Sequence, residues 1–248
     1  MNVILKVRGL KKTYQKSSIP ALDGIDFDIN KGDVLGLLGP NGAGKTTAIS
    51  IASTLLKPDA GQIEIDGMNA FNHLGTVKSK IGFVPQEIAL YLGLTARENL
   101  SYFGAIYGLS GKYLNERIDE CLETMGLTEN ADKLIKHFSG GMKRRANLAV
   151  GLLHVPKLLF LDEPTVGIDA QSRNVILENL QKLRDSGTSI LYTSHYMEEV
   201  QQICNKVEIM DHGKIIGSGS PSSLIAEHDD CDNLEDVFLK ITGRQLRD

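Results

Sequence analysis

A glycine-rich loop, Gly39–Thr46, matches the pattern G-x-x-x-x-G-K-[ST] and limits the folds that this chain can adopt. The apolar run Val34–Leu38 before it is typical of a strand covered on both faces, and Thr46–Leu56 after it predicts a helix ending before Pro58. A strand, such a loop and a helix form a phosphate-binding P-loop, because the glycines let backbone N–H groups turn inward and the helix start attracts anions. The alternative is a glycine-rich turn that carries a lysine by chance, but the flanking elements favour the P-loop.

The residues of this loop have expected contacts. Lys45 is expected to reach the β- and γ-phosphates of a nucleotide, and the Thr46 hydroxyl can ligate Mg²⁺. The nucleotide-binding residues predicted here are Gly39, Pro40, Asn41, Gly42, Ala43, Gly44, Lys45, Thr46 and Thr47.

Two adjacent acids follow a second apolar run. The predicted strand Lys157–Asp162 ends in a carboxylate, and Asp162 can hold the Mg²⁺ shell through water, as P-loop ATPases require. Glu163 is placed to polarise an attacking water. The alternative is a pair of strand-end acids that cap the next element. Beside a P-loop, the catalytic interpretation is favoured.

Hydrophobic periodicity divides the rest of the chain into three parts. The first third alternates apolar and polar residues as antiparallel strands do, for example over Ile25–Ile29. The middle is predicted to be helical: Thr95 and Glu98 form a capping box, and Ser139 is the N-cap of a helix running to about Leu153. The last third alternates strands and helices, which predicts a parallel sheet covered by helices. We therefore expect an α/β core that helices interrupt between about residues 87 and 152.

Composition argues against several classes of protein. The net charge is −4, from 27 basic and 31 acidic residues, which disfavours a protein that mainly binds nucleic acid. Cys121, Cys204 and Cys231 are far apart, which indicates free thiols in a reducing compartment. We expect no signal peptide and no membrane span, because the N-terminus lacks a long apolar core and no apolar run approaches the ~20 residues that cross a bilayer. If the protein acts at a membrane, another chain must span it.

Five further motifs occur along the chain. Phe138–Met142 reads Phe-Ser-Gly-Gly-Met, Gln86 ends Phe-Val-Pro-Gln, Asp169 ends Val-Gly-Ile-Asp, and His195 ends Thr-Ser-His. With Tyr14 ahead of the P-loop, they resemble the signature, Q-loop, D-loop, switch histidine and adenine-stacking aromatic residue of the ATP-binding cassette (ABC) proteins. The resemblance covers the chain from about residue 14 to residue 216.

This resemblance implies a role for each motif. Two cassettes pair head to tail, and the signature, which begins a helix and so attracts anions, closes over the ATP on the partner's P-loop. Gln86 would sense Mg²⁺ and the attacking water, and His195 would contact the γ-phosphate. Asp169 would bridge the two subunits, and Tyr14 would stack on adenine. The implied catalytic residues are Lys45, Gln86, Glu163 and His195, the metal ligands are Thr46, Gln86 and Asp162, and the further ATP contacts are Tyr14, Ser139, Gly140, Gly141 and Asp169.

The implied fold is α/β: a P-loop NTPase (RecA-like) core with a mostly parallel sheet, an N-terminal antiparallel β subdomain and an inserted helical subdomain. We expect residues 1–248 to form one nucleotide-binding domain. Residues 1–86 and 153–216 would form the core with its antiparallel part, 87–152 the helical subdomain, and 217–248 a C-terminal extension. The implied activity is ATP hydrolysis with ATP and Mg²⁺.

Departures from the commoner motifs indicate a branch of the family. Phe138 and Met142, with Lys143–Arg145, Tyr192–Glu199 and the tail Leu234–Gly243, resemble bacterial cassettes of the daunorubicin-resistance and sodium-extrusion type. Those chains carry only the ATPase and work with separate membrane-spanning permeases, generally as exporters. The resemblance implies a permease partner, a second cassette that is a copy or a similar chain, and a peripheral place on the cytoplasmic face of the membrane.

Two rival functions share the catalytic motifs. Soluble ABC ATPases that act on ribosomes or DNA usually have two cassettes or a long coiled-coil insertion, whereas this chain has one cassette, no heptads and an acidic balance. We therefore expect no nucleic-acid partner. An importer ATPase is disfavoured by the branch resemblance and by the short segment after Ile216.

Two segments have open interpretations. The basic run Lys143–Arg145 is either a solvated helix face or a contribution to the field near the nucleotide or the membrane. The apolar residues Ile88, Leu90, Tyr91 and Leu92 either line a groove that receives a short permease helix or belong to the helical core.

Overall fold

The computed structural model describes residues 3–15, 17–228 and 230–243. The strands are β1 (Val3–Lys12), β2 (Leu22–Asn30), β3 (Val34–Leu38), β4 (Ala60–Ile65), β5 (Met68–Asn69), β6 (Ile81–Val84), β7 (Leu158–Asp162), β8 (Ser189–Thr193), β9 (Lys206–Asp211) and β10 (Lys214–Gly219). The helices are α1 (Lys45–Ala52), α2 (Leu74–Lys78), α3 (Ala96–Ile106), α4 (Gly111–Thr124), α5 (Gly140–Leu152), α6 (Ala170–Asp185), α7 (Met197–Ile203), α8 (Pro221–Ala226) and α9 (Leu234–Thr242), with short 3₁₀ turns at Thr128–Asn130 and Ile135–His137.

Two sheets form the framework. The larger has the order β10-β9-β3-β8-β7-β6, and its strands pair in parallel except for the β9–β10 hairpin. The smaller is antiparallel, in the order β2-β1-β4-β5. Strands β3, β7 and β8 are buried at every position, which explains their continuous apolar sequence. The predicted combination of a mostly parallel core sheet with an N-terminal antiparallel part is confirmed.

The helix after the P-loop is shorter than its periodicity suggested. It is α1, Lys45–Ala52, and the prediction that it extends to Leu56 is wrong. Thr54 has a left-handed φ of 65°, and the next two backbone N–H groups both bind the Ser50 carbonyl. A left-handed residue after the last turn lets the N–H groups that follow it donate to carbonyls that the helix leaves free. The helix therefore ends at this point, and the chain turns away from its axis.

The helical part packs on the sheet edge at β6. Thr95 and Glu98 form the predicted capping box at the start of α3, with Glu98 N to Thr95 Oγ1 at 3.1 Å and Thr95 N to Glu98 Oε2 at 2.8 Å. Leu114, Ile118 and Leu122 form the buried face of α4. Helices α3, α4 and α5 contact one another, and α5 contacts β6. The boundaries proposed at residues 86, 152 and 216 stay predictions.

The C-terminal segment packs onto this core. Leu234, Val237 and Phe238 on α9 are fully buried, and α9 contacts α7 and α8. Residue 229 and residues 244–248 of the predicted extension lie outside the described residues. Within the described ranges, no helix is both long enough and apolar enough to cross a membrane.

One carboxylate joins the small sheet to the base of the large one. Asp66, in the β4–β5 turn, lies 2.7 Å from Lys80, 3.1 Å from Lys157 and 3.4 Å from Lys31. Lys80 and Lys157 directly precede β6 and β7. The hydrogen bond from Lys80, followed by that from Lys157, holds the pKa of Asp66 well below its usual range.

Asp66→Asn removes this charge and keeps a residue type that tolerates the left-handed φ of 50° found there. We expect the free energy of unfolding at pH 7 to fall by about 1 kcal/mol in low salt, because several ion pairs share one carboxylate. Since the pKa of Asp66 is lowered by folding, its stabilisation is full above pH ~4 and declines as the pH falls further.

Urea denaturation at pH 7 checks this expectation in low salt and in about 1 M NaCl, where screening should shrink the difference. Asp185→Asn is the matched control, because Asp185 is two-thirds exposed and pairs only with the adjacent Arg184 among described residues. An equal loss of stability in both variants would contradict the role assigned to Asp66.

Candidate nucleotide site

The carboxyl ends of β3, β7 and β8 lie side by side, and the predicted catalytic loops leave the sheet there. The P-loop follows β3, Asp162 ends β7 with Glu163 directly after it, and the switch loop follows β8. Parallel sheets bind ligands at this edge. A cavity of about 360 Å³ opens there. Its lining consists of Tyr14, Ala21, Asn41, Gly42, Ala43, Gly44, Lys45, Thr46, Thr47, Gln86 and Glu163.

The P-loop needs glycine at two positions for close packing. A Cβ at Gly39 would lie 2.5 Å from the Met210 carbonyl oxygen, and one at Gly44 would collide with the Ala21 carbonyl oxygen. Gly44 also has a φ of 107° and is the N-cap of α1. The loop is therefore pressed against neighbouring backbone, which fixes its course around the cavity.

Lys45 is buried at the floor of this loop. Its Nζ donates to the Gly39 carbonyl at 2.6 Å and to the Pro40 carbonyl at 3.3 Å. Burial lowers the pKa of the amine, while the nearby Glu163 and Asp162 carboxylates oppose that shift. The ammonium group is thus held between the loop and the two acids, where phosphate oxygens would replace backbone carbonyls as its partners.

Asp162 is the buried acid beside Thr46. Thr193 Oγ1 donates to Asp162 Oδ1 at 2.8 Å. Burial raises the pKa of Asp162, and hydrogen bonds from Thr193 and Thr46 counteract it. A carboxylate and a hydroxyl beside a phosphate-binding loop are the hard oxygen donors that Mg²⁺ accepts, so these residues fit the predicted ion.

Glu163 is held in a strained backbone conformation. Its φ is 46°, in the left-handed region that non-glycine residues rarely adopt, and its N–H donates to Thr193 Oγ1 at 2.9 Å. Glu163 Oε2 accepts a hydrogen bond from Gln86 Nε2 at 3.0 Å and lies 3.6 Å from His195 Nδ1. The structure therefore brings three of the four predicted catalytic side chains together, and two of them, Gln86 and Glu163, line the cavity.

Tyr14 also lines the cavity. Its hydroxyl is 3.2 Å from Thr47 Oγ1, and the side chain is about half exposed. The ring is available for stacking, but adenine contact remains a prediction.

The signature and D-loop residues form a second cluster. Ser139 caps α5 by accepting from Met142 N at 3.2 Å, and Asp169 caps α6 by accepting from Ser172 N at 2.8 Å. A Cβ at Gly141 would overlap the Ser172 hydroxyl, so the two helix starts touch. The members of this cluster, which are absent from the cavity lining given above, are Ser139, Gly140, Gly141 and Asp169.

Three residues at the site lie outside the predicted set: Ala21, which lines the cavity, Thr193 and Arg144. The Thr193 hydroxyl contacts the Asp162 side chain and the Glu163 backbone N–H. Its position at the end of a buried strand, two residues before the switch histidine, is the sequence signal that could have identified it. Arg144 is 6% exposed and donates to the Pro85, Gln86 and Val166 carbonyls. The interpretation of Lys143–Arg145 as a solvated helix face is therefore wrong for Arg144. Its guanidinium is buried and donates to backbone carbonyls of two segments, the Q-loop and the loop after Glu163.

The apolar segment after Gln86 has a divided environment. Leu90 belongs to the buried core, whereas Tyr91 and Leu92 are about half exposed. Tyr91 makes an edge contact with Tyr102, with ring centroids 4.9 Å apart. Leu90 therefore belongs to the helical core, and docking of a permease helix at Tyr91 and Leu92 stays a prediction.

Comparison with known proteins identifies the family of the chain. The ABC transporter family pattern matches residues 22–166. The chain is 49% identical over 221 residues to the linearmycin resistance ATP-binding protein LnrL of Bacillus subtilis (strain 168), covering 89% of this chain and 70% of the relative. It is 40% identical over 223 residues to the daunorubicin resistance ATP-binding protein DrrA3 of Streptomyces coeruleorubidus, covering 90% and 70%.

A solved structure has the same fold. The dimeric ATP-binding cassette MJ0796, in a post-hydrolysis state bound to ADP and Pi, superposes with a TM-score of 0.80 at 27% identity, covering 87% of this chain and 98% of that one. The P-loop, Asp162, Glu163 and the other predicted catalytic side chains lie in the fold that this chain shares with that structure. The chain therefore belongs to the ABC transporter family, as an ATP-binding subunit that hydrolyses ATP.

Proposed function

We propose that this ATPase powers a separate membrane permease as an exporter, through head-to-tail pairing of two cassettes. The observation that carries the catalytic part is the convergence of Gln86 and His195 on the Glu163 carboxylate beside the phosphate loop. In this proposal Glu163 takes the proton of the attacking water. Gln86 orients that water, and His195 contacts the γ-phosphate.

The phosphate end of the site has its own division of labour. Lys45 binds the β- and γ-phosphates, and Thr46 and Asp162 hold Mg²⁺, with Gln86 near its water shell. When bound, Mg²⁺ would neutralise charge on the phosphates. Tyr14 stacks on the adenine ring.

Pairing of two cassettes would complete the site. Ser139, Gly140 and Gly141 start α5, a 13-residue helix whose N-terminus attracts anions. These residues are absent from the lining of their own chain's cavity. We propose that they face the ATP of a second cassette, with Asp169 at the junction. A dimeric cassette bound to ADP and Pi among the similar structures supports this arrangement.

Export is favoured by the similar proteins that are named for resistance to linearmycin and daunorubicin. We propose that this chain serves the removal of a compound, from the cytoplasmic face of the membrane. The permease would dock at the half-exposed Tyr91 and Leu92. The Tyr91 ring contacts the rings of Tyr102 and Phe103, which extend this apolar patch.

Glu163→Gln tests the catalytic base. A glutamine keeps the size of the side chain but cannot accept the proton, so we expect kcat to fall by about 100-fold or more. ATP affinity should stay within about twofold, and gel filtration with ATP should give a dimer, because the nucleotide persists. Phosphate release near the wild-type rate would refute the assignment of Glu163 as the base.

Lys45→Ala tests the phosphate contact. Loss of a charged partner for the phosphates should weaken ATP binding about 10- to 100-fold, measured by calorimetry. Lys57→Ala is the control, because Lys57 is exposed just after α1. Unchanged affinity in the Lys45 variant would exclude the proposed contact.

Tyr91→Asp tests docking. A charge in the apolar patch should prevent recovery of the permease when tagged chain is purified from native membranes in mild detergent. Tyr113→Asp, at an equally exposed tyrosine on α4, should leave recovery unchanged. Equal recovery by both variants would contradict this docking surface, and recovery of only ribosomal or DNA-bound partners by the wild type would contradict the transport role.

A further inference from the structure

A buried carboxylate lies behind the switch loop, away from the nucleotide cavity. Glu199 on α7 is 3% exposed. Its Oε2 accepts hydrogen bonds from Tyr192 at 2.5 Å, Thr165 at 2.7 Å and Ser194 at 3.2 Å. Its Oε1 lies 3.3 Å from Arg173 Nε. A charge buried this deeply is costly unless it is paired and hydrogen-bonded, and this one has both kinds of partner.

These partners come from the segments that carry the proposed catalytic groups. Thr165 lies two residues after Glu163, and Ser194 directly precedes His195. Tyr192 and Ser194 flank Thr193, the residue that binds both acids of the site. One carboxylate therefore binds the loop of the proposed base and the loop of the switch histidine.

Arg173 extends the network to two further places. It lies four residues after Asp169, in the first turns of α6. Its guanidinium carbon is 4.7 Å from the centre of the Tyr196 ring, and that ring is 4.2 Å from the His195 ring. The contacts thus run from α6 through Arg173 to both Glu199 and the residue beside His195.

Packing alone does not hold the switch loop. His195 and Tyr196 border a cavity of about 330 Å³, together with Met197 and Arg173. A loop that faces open space on one side depends on its remaining contacts for its position. Here these include the hydrogen bond from Tyr196 N to Ser194 Oγ at 2.9 Å and the contacts of Glu199 and Arg173.

We infer that Glu199 is a positioning residue for ATP hydrolysis: it sets His195 relative to Glu163 and, through Arg173, ties that placement to α6. The inference rests on the proposed roles of Glu163 and His195. Glu199 touches neither nucleotide nor attacking water in this scheme, so its loss should affect turnover rather than ATP binding.

Glu199→Gln tests the inference with little change in size. The carboxylate offers two acceptor oxygens, one to the three hydroxyl groups and one to the guanidinium. A glutamine amide has one acceptor oxygen and one NH₂ donor, so one of these two sets of donors loses its acceptor and the network must rearrange. We expect kcat to fall about 10- to 100-fold, since a shift of about 1 Å in a catalytic group has such an effect. The KM for ATP should stay within about twofold of the wild-type value, because the phosphate loop is untouched.

Glu208→Gln is the matched control. Glu208 is 2% exposed and lies 2.9 Å from Lys206, so the same substitution there removes an equally buried, paired carboxylate on β9. Its kcat should stay within about twofold of wild type. The fraction of protein that binds a fluorescent ATP analogue is measured for every variant, so that loss of folded protein is not mistaken for loss of turnover.

Arg173→Gln provides an independent variant at a side chain that is about one-third exposed. It leaves the buried Glu199 carboxylate without that ion pair, so its kcat is compared per ATP-binding protein, as for the other variants. It should lower kcat as Glu199→Gln does, and the loss in the double variant should be smaller than the product of the two single losses, because the two side chains share a contact. Independent, multiplicative losses would overturn the inference, as would wild-type kcat in either single variant with full ATP binding.

Glu163→Gln, assayed in parallel, separates the two levels of the proposal. If it hydrolyses ATP normally, the proposed catalytic site fails. If it is inactive while Glu199→Gln is normal, only the role of Glu199 fails. A kcat loss in Glu199→Gln that merely matches its loss of ATP-binding protein would assign Glu199 a purely structural role and overturn the inference.

Discussion

Parallel pairing of β7 with β8 is the constraint on which the rest of the site depends. The register sets Asp162 opposite Thr193, and the Thr193 hydroxyl then reaches both Asp162 Oδ1 and the Glu163 backbone N–H. A slip of one residue would turn every side chain of the slipped strand to the other face of the sheet and separate these groups. The fully buried strands make such a slip costly, because their apolar side chains fill the core on both faces.

The sequence predicted those parts of the site that lie within one short segment. The P-loop, Asp162 and Glu163 each follow an apolar run, and their order along the chain specifies the strand ends at which they lie. The capping box at Thr95 was equally readable, because its hydrogen bonds span three residues. The end of α1 could not be predicted in this way. It depends on the left-handed backbone of Thr54, and neither glycine nor proline stands at that position to indicate it.

Contacts between distant segments could not be read in this way. Arg144 binds the Gln86 carbonyl across 58 residues of sequence, and Glu199 binds Thr165 across 34. Periodicity assigns a charged residue to an exposed face unless something in the fold satisfies it inside. Both residues are buried because backbone carbonyls or hydroxyls meet them there, and this is a property of the assembled tertiary structure.

The close approach at Gly141 has a mechanical consequence. With no Cβ at this position, the start of α5 lies directly against Ser172 in the first turn of α6, and Asp169 caps the latter helix from the same place. Two close-packed helix starts cannot slide past each other without breaking that contact. A displacement of the signature helix relative to the Asp169 loop therefore has to open the contact between Gly141 and Ser172.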